Sequence, residues 1–370
     1  MSPHNLLNIL IITYVRAINY GSALQAFALN KYLTDNGFNV KTIDYTTETQ
    51  QQLYRIFEPT KGIMAMFRNI QSILNYRKLK EHHTRFDEFI KTYIPMTKVI
   101  STSDELESIS SDADYLICGS DQIWNADCDD FDSNYMLSFV SDKSKCISYA
   151  PSLGAGASSE KTVCAIKKYA INFKALSSRE ESGANTIAHL TERKVSTVSD
   201  PVFLLSEEYW KEIASDRLLK KDYILGYFIG DRAGMRDFAR KMSKSTNLPV
   251  IVIYKNLRDI RYGFHNIYEC GPSDFVSLIQ HSKGIVTNSF HAVAFSLIFK
   301  KDFWAFTGKA STDSRISSLL SMVGLSERII DESHDAITDY LAPIQYSEKN
   351  LSRLQQHIAD SKYFLLNNLS

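Results

Sequence analysis

Short apolar runs recur along the chain, and several end in a knot of polar residues from which a helix-like pattern sets out. Residues 6–13 are continuously apolar and rich in β-formers, as expected of a strand covered on both faces. A helical pattern then starts at Ser22, with Leu24, Phe27, Ala28 and Leu33 on or near one face. Asn36-Gly37 stops it, and residues 40–45 return as a strand. That is one βαβ unit. Residues 46–100 break the rhythm. They are rich in Arg, Lys, Gln and Tyr, read as helix through Phe67, Ile70, Ile73, Leu74, Phe86, Phe89 and Ile90, and end at Ile94-Pro95.

Alternation resumes with strands at 115–118, 146–149, 175–178 and 195–198, and helices at 162–172 and 182–190. An amphipathic stretch at 200–221 marks the crossing between two halves. The second half restarts with strands at 223–229, 250–254, 285–287 and 303–306. Between and after them lie helices at 233–245, at 273–281 capped at Ser273 or nearby, at 291–299, and at 315–323 with Gly324 as its stop. Residues 348–370 form a last amphipathic helix. Strands alternating with helices in both halves predict an α/β protein of two Rossmann-like domains.

Length agrees with two domains. At 370 residues the chain exceeds the roughly 250–300 at which single cores stop growing. Lys and Arg balance Asp and Glu at 42 each, so no global field draws the protein to nucleic acid or to an anionic membrane, and only local basic stretches could do so. The five cysteines are widely spaced, without a Cys-x-x-Cys, and read as free thiols of a reducing compartment. The apolar stretch 6–15 lacks a basic leader and is shorter than the about 20 residues that span a bilayer. The expectation is a cytoplasmic protein, at most peripheral at the inner face of a membrane. The basic stretch holding Arg68, Arg77, Lys78, Lys80 and Arg85 is either a solvated helix face or a surface for an acidic or lipid-linked partner.

Five strings carry chemistry, because in parallel sheets the strand C-terminal ends form the ligand-binding rim. N-Y-G-S-A-L-Q-A at 19–26 offers Asn19, Tyr20 and Gly21 at a helix start, where free N–H groups favour an anion or a sugar hydroxyl; a plain capped helix is the alternative. G-S-D-Q-I-W-N at 119–125 equips a sugar site, with Ser120, Gln122 and Asn125 for hydroxyls, Trp124 for the ring face and Asp121 as a base. A polar loop around a partly buried Trp124 would read the same. In S-S-R-E-E-S at 177–182, Arg179 either grips a carboxylate or phosphate or pairs with an acid such as Glu180. In T-N-S-F-H-A-V-A-F at 287–295, His291 opens an apolar helix, as an acid or as a satisfied core residue; Ser289 lacks the G-x-S-x-G of a nucleophile. In F-T-G-K-A-S-T-D-S-R at 306–315, Lys309 and Arg315 flank small polar residues, either as an anion loop or as a solvated one. No dinucleotide fingerprint, P-loop or H-E-x-x-H occurs, and nothing calls for a metal.

In their order along the chain, N-Y-G-S-A-L-Q-A, G-S-D-Q-I-W-N, S-Y-A-P-S-L-G (148–154), L-S-S-R-E-E-S-G (176–183), V-S-D-P-V-F (198–203) and N-S-F-H-A (288–292) resemble the polysaccharide pyruvyl transferase family. The resemblance implies a GT-B-like fold, two domains facing a cleft. Residues 1–205 would lie on the acceptor side and 206–345 on the donor side, with 346–370 crossing back to the first domain. It implies phosphoenolpyruvate as donor and co-substrate, no cofactor, and a saccharide acceptor, lipid-linked in one version, that receives a pyruvate ketal. His291 and Asp121 become the catalytic pair. Arg179, Ser289, Lys309 and Arg315 bind the donor; Asn19, Tyr20, Gly21, Ser120, Gln122, Trp124 and Asn125 bind the acceptor. The family pattern often has a basic residue where Ser289 stands, and Lys309 or Arg315 are the candidates to replace its charge. A GT-B nucleotide-sugar glycosyltransferase and a non-catalytic saccharide-binding protein are the competing expectations.

Overall fold

Short runs of β-branched and aromatic residues with no polar face suit strands buried on both sides, and the chain uses them to build two parallel sheets. The structure is a computed structural model that describes residues 6–57, 62–230, 234–253, 259, 261–307, 314–330 and 342–369. The chain divides into two compact units. The first comprises Met1–Tyr76, Phe86–Leu204 and Gln356–Ser370, and the second Arg77–Arg85 and Leu205–Gln355. The C-terminal helix Glu348–Asn367 thus has its later turns in the first unit. The hydrophobic pattern gave no sign that 77–85 groups with the second.

In the first unit, β1 (Asn8–Ile12), β2 (Asn39–Tyr45), β3 (Met96–Ile100), β4 (Tyr115–Cys118) and β5 (Cys146–Ser148) form a parallel sheet in the order β3-β2-β1-β4-β5. Ile9 stands in register with Val40 on one side and Tyr115 on the other. The short strands β6 (Ser177–Ser178) and β7 (Ser196–Thr197) continue it, tied to β5 through Ser148 N donating to Ala175 O at 3.1 Å. The helix Tyr20–Asp35 has buried residues all round, as a helix covered on every side must. It starts two residues before the expected Ser22 because Asn19 is its cap. Asn19 has extended backbone, and its Oδ1 accepts from Gly21 N at 2.9 Å and Ser22 N at 3.3 Å.

In the second unit, β8 (Ile224–Tyr227), β9 (Val250–Ile253), β10 (His265–Ile267), β11 (Gly284–Thr287), β12 (Phe303–Phe306) and β13 (Ile329–Ile330) run in the order β10-β9-β8-β11-β12-β13. All pairings are parallel. The helix expected to be capped at Ser273 or nearby spans Pro272–His281, with Gly271 as cap and Pro272 at the first helical position, where a missing N–H costs nothing.

Both sheets therefore share one doubly wound order, in which the first strand is central and the chain winds outward in both directions. Each has a switch point where the winding reverses, β1/β4 in the first unit and β8/β11 in the second. Loops leaving the strand C-termini diverge there and open a crevice.

Candidate functional site

The first switch point lies between the segments after β1 and β4. Gly119 and Asp121 have positive φ values of 138° and 76°. A side chain at Gly119 would place its Cβ 1.8 Å from Tyr149 O, so this position tolerates only glycine. For Asp121 the left-handed backbone is unusual, and such outliers gather at functional sites. The carboxylate is held on two sides: Oδ2 accepts from Ser22 Oγ at 2.6 Å and Oδ1 from Gln122 N at 2.9 Å. Gln25 spans the crevice. Its Nε2 donates to Thr13 Oγ1 at 2.8 Å, and its Oε1 accepts from Ser120 N at 3.1 Å.

Behind this crevice stands Arg179, just beyond β6, with its side chain 2% exposed. Its Nη1 donates to Asp200 Oδ2 at 2.6 Å and its Nε to Glu180 Oε1 at 3.1 Å. Burial works against its charge, but Glu180, Asp200 and Asp121 outweigh burial and raise its pKa above the usual value. Of the two readings of Arg179, the ion pair is the one the fold builds. The same Asp200 Oδ2 accepts from Ser120 Oγ at 3.2 Å, so the guanidinium anchors the residue next to Asp121.

The remaining residues of the two first-unit strings divide by burial. Tyr20 is buried with its ring 5.1 Å from Phe86, and Gly21 is buried in the first turn. These residues and Asn19 shape the helix start. Gln122 is half-buried, and its Oε1 accepts from Asn125 Nδ2 at 3.3 Å. Trp124 corrects the sugar-stacking expectation: it is fully buried, edge-on to Phe173 at 5.9 Å, so its ring face is closed to a ligand. The loop folds Ile123 and Trp124 into the core, buries Ser120, Asp121 and Asn125 on their polar partners and leaves Gln122 half-buried.

Three groups at this rim escaped the sequence reading. Burial pushes the Tyr14 phenol up, and Asp130, Tyr135, Cys128 and Asp121 add to it. Burial likewise raises Tyr54, with Asp130 and Asp121 contributing. The Asp130 carboxyl is raised by burial and by Asp121 and Asp129, against a backbone hydrogen bond of its own. Two phenols and a carboxyl, all with raised pKa values, thus lie within electrostatic reach of Asp121. The signal was present: Tyr14 directly follows β1, and Asp130 sits in the acid-rich run 127–132.

At the second switch point, Thr287 Oγ1 donates to Tyr227 O at 2.7 Å and ties the ends of β11 and β8 together. Asn288 grips the backbone of Ile229 at both of its polar groups, accepting from Ile229 N at 2.8 Å and donating to Ile229 O at 2.7 Å. Ser289 is the cap of the helix Phe290–Ile298, its Oγ accepting from Ala292 N at 3.4 Å. His291 is the second residue of that helix, 7% exposed and perpendicular to the Phe290 ring at 5.3 Å. Arg315 lies half-buried at the start of the helix Ser314–Val323. Lys309 lies outside the described residues. Among the described residues no group of three His, Cys, Asp or Glu is placed to hold a metal ion.

A family model described as polysaccharide pyruvyl transferase matches residues 19–309. The chain belongs to the polysaccharide pyruvyl transferase family. This pyruvyl transferase is therefore an enzyme that moves the pyruvyl group of phosphoenolpyruvate onto a saccharide. Comparison with curated proteins gave no match. Among solved structures, the chain is similar to UDP-GlcNAc 2-epimerase from Methanocaldococcus jannaschii at 11% identity and a TM-score of 0.49, covering 96% of this chain and 92% of that one. It is also similar to UDP-N-acetylglucosamine 2-epimerase from Rickettsia bellii at 9% identity and a TM-score of 0.48, covering 98% and 97%. E. coli heptosyltransferase WaaC follows at 8% identity and 0.39, covering 82% and 90%. The two strand orders, rather than these likenesses, carry the fold assignment of the pyruvyl transferase. Among its described residues no helix is long and apolar enough to cross a membrane.

Proposed function

We propose that the enzyme builds a pyruvate ketal on a sugar of a surface-polysaccharide precursor, with His291 as general acid and Asp121 as general base. In the balanced reaction the phosphoenolpyruvate methylene takes a proton and becomes the ketal methyl group. Two sugar hydroxyls add in turn to the neighbouring carbon. The bond from that carbon to the phosphate oxygen breaks, and phosphate leaves with the electron pair. One hydroxyl proton balances the new methyl C–H bond and the other leaves with phosphate or solvent. The acid must be a group that carries a proton near neutral pH, which suits an imidazole. The base must be an ionised carboxylate oriented before the hydroxyl arrives, and Ser22 and Gln122 N orient Asp121.

Support comes from one observation. Asp121 follows β4 and His291 follows β11, so each stands at the switch point of its own sheet, where doubly wound folds bind ligands. Arg315 and Lys309 are assigned to the donor's anionic groups. Arg179 is reassigned from donor binding to positioning, through Asp200 and Ser120. Ser289 is assigned to holding the start of the His291 helix. Tyr14, Asp130, Gln122 and Asn125 are assigned to acceptor hydroxyls. The acceptor is read as a lipid-linked oligosaccharide met at the cytoplasmic face of a membrane.

Phosphate release from phosphoenolpyruvate, measured with a panel of acceptor glycans, tests the assignment. Wild-type enzyme releases phosphate only with a glycan that becomes pyruvylated. His291→Ala folds, as judged by circular dichroism, and loses release. Retained release in that variant would remove His291 from the mechanism.

A further inference from the structure

Among its described side chains, the helix Ile63–Leu74 in the first unit runs against the usual rule for a surface helix. Its small and polar residues Ala65 and Ser72 are buried, and Asn69 is half-buried. Its large apolar residues Met66, Ile70, Ile73 and Leu74 are 44% to 79% exposed. Those four lie at i, i+4, i+7 and i+8 and share one face. Single exposed apolar side chains are ordinary, but a contiguous row of this size marks an interaction surface.

We propose that this helix is an interfacial anchor that lies in the headgroup region of an anionic lipid membrane. It deepens, and in that sense rests on, the membrane-side acceptor proposed above. Three observations select lipid as the occupant. Residues 51–80 carry six Lys or Arg against the single acid Glu58, in a chain whose formal net charge is zero. Arg55, Arg77 and Lys80 of that stretch are exposed. A basic run continuous in sequence with an apolar helix face is what an anionic leaflet attracts. Next, Phe57 and Tyr76 stack at 5.9 Å between centroids and are both exposed, placing an aromatic pair where interfacial rings prefer to sit. Finally, the helix has 12 residues, well short of the about 20 that span a bilayer, so it lies on the membrane rather than through it. A second copy of the chain is the poorer occupant, because two copies meeting by this face would set like charges against each other.

Co-sedimentation of the full chain with vesicles tests the proposal. Vesicles of equal parts phosphatidylglycerol and phosphatidylcholine are expected to bind the wild type, and pure phosphatidylcholine to bind it far more weakly. Ile70→Glu/Ile73→Glu should lower binding to the anionic vesicles by roughly tenfold or more. Arg77→Gln and Lys80→Gln should each lower it by roughly fivefold. Phosphate release with a soluble acceptor glycan should stay at the wild-type level in all of them. Absence of wild-type binding to the anionic vesicles, or equal binding by Ile70→Glu/Ile73→Glu, would overturn the anchor. A wild-type dimer in light scattering that this double variant dissolves, without vesicle binding, would assign the face to a second copy instead. Because the soluble-acceptor assay never involves the vesicle, losing the anchor leaves the ketal chemistry standing, and losing the ketal chemistry leaves the anchor testable.

Discussion

The Asp200 carboxylate holds the Arg179 guanidinium at 2.6 Å in a place where both side chains are all but closed to water. Glu180 meets the same guanidinium from another side at 3.1 Å. Removing the cation would strand two buried carboxylates. Arg179→Leu is therefore expected to cost about 3–5 kcal/mol of stability, read from urea denaturation, and Arg179→Leu/Asp200→Asn should recover part of that loss. If Arg179 instead bound the donor, Arg179→Lys would raise the KM for phosphoenolpyruvate with stability unchanged. That outcome would return it to the donor site.

Gly119 controls how closely the Asp121 loop can approach β5. An added Cβ would sit 1.8 Å from a backbone oxygen of Tyr149, and the φ of 138° is foreign to other residues. Backbone cannot swing aside as the end of a flexible side chain can. Gly119→Ala should lower stability by at least ~3 kcal/mol and displace the loop, with a lowered melting temperature and little phosphate release. A variant with wild-type stability and turnover would show that the loop is free to relax.

The alternation of apolar runs with helical patterns made the inner strands of both sheets legible, while the edge strands β3, β10 and β13, which lack a continuous apolar run, were not. Loops after the inner strands were legible with them, and Asp121 and His291 were found there. Partner choice was not legible. Asp200 lies 21 residues from Arg179 and Asp121 lies 99 from Ser22, and no local rule brings such pairs together. The helical pattern starts at Ser22 in the sequence, but the cap is Asn19, three residues earlier, because its extended backbone and side-chain oxygen close the first turn. Trp124 misled because its neighbours are polar, while packing against Phe173 is set by a residue 49 positions away. The spacing of Ile70 and Ile73 predicts a helix but not their exposure, because periodicity shows that a face exists but not what covers it.

His82 provides a pH signature in the second unit. Burial lowers its pKa, a hydrogen bond to Cys270 O at 2.7 Å works against that, and His83 adds to the lowering. The unfolded chain therefore takes up a proton before the folded one as pH falls below about 6.5. The contribution of neutral His82 is complete above that value and is lost toward the lower folded-state pKa. Denaturation midpoints measured from pH ~7 to ~5 should fall for the wild type and fall less for His82→Gln. Parallel curves would show that another group carries the dependence.

Ser22 ties the first helix to the proposed base. Its hydroxyl donates to Asp121 Oδ2 at 2.6 Å across the first switch point, and both residues are buried. Ser22→Ala leaves that oxygen without its donor, which should cost about 1.5–3 kcal/mol of stability. A hydrogen bond to the charged form of an acid stabilises that form, so its removal makes Asp121 easier to protonate. If Asp121 takes the acceptor hydroxyl's proton, the acidic limb of the pH dependence of kcat/KM must move to higher pH in Ser22→Ala. Asp121→Asn should abolish transfer at every pH. Ser22→Ala enzyme that loses stability but keeps the wild-type acidic limb would separate the two roles, leaving Asp121 a structural anchor of the loop and assigning the proton to another group.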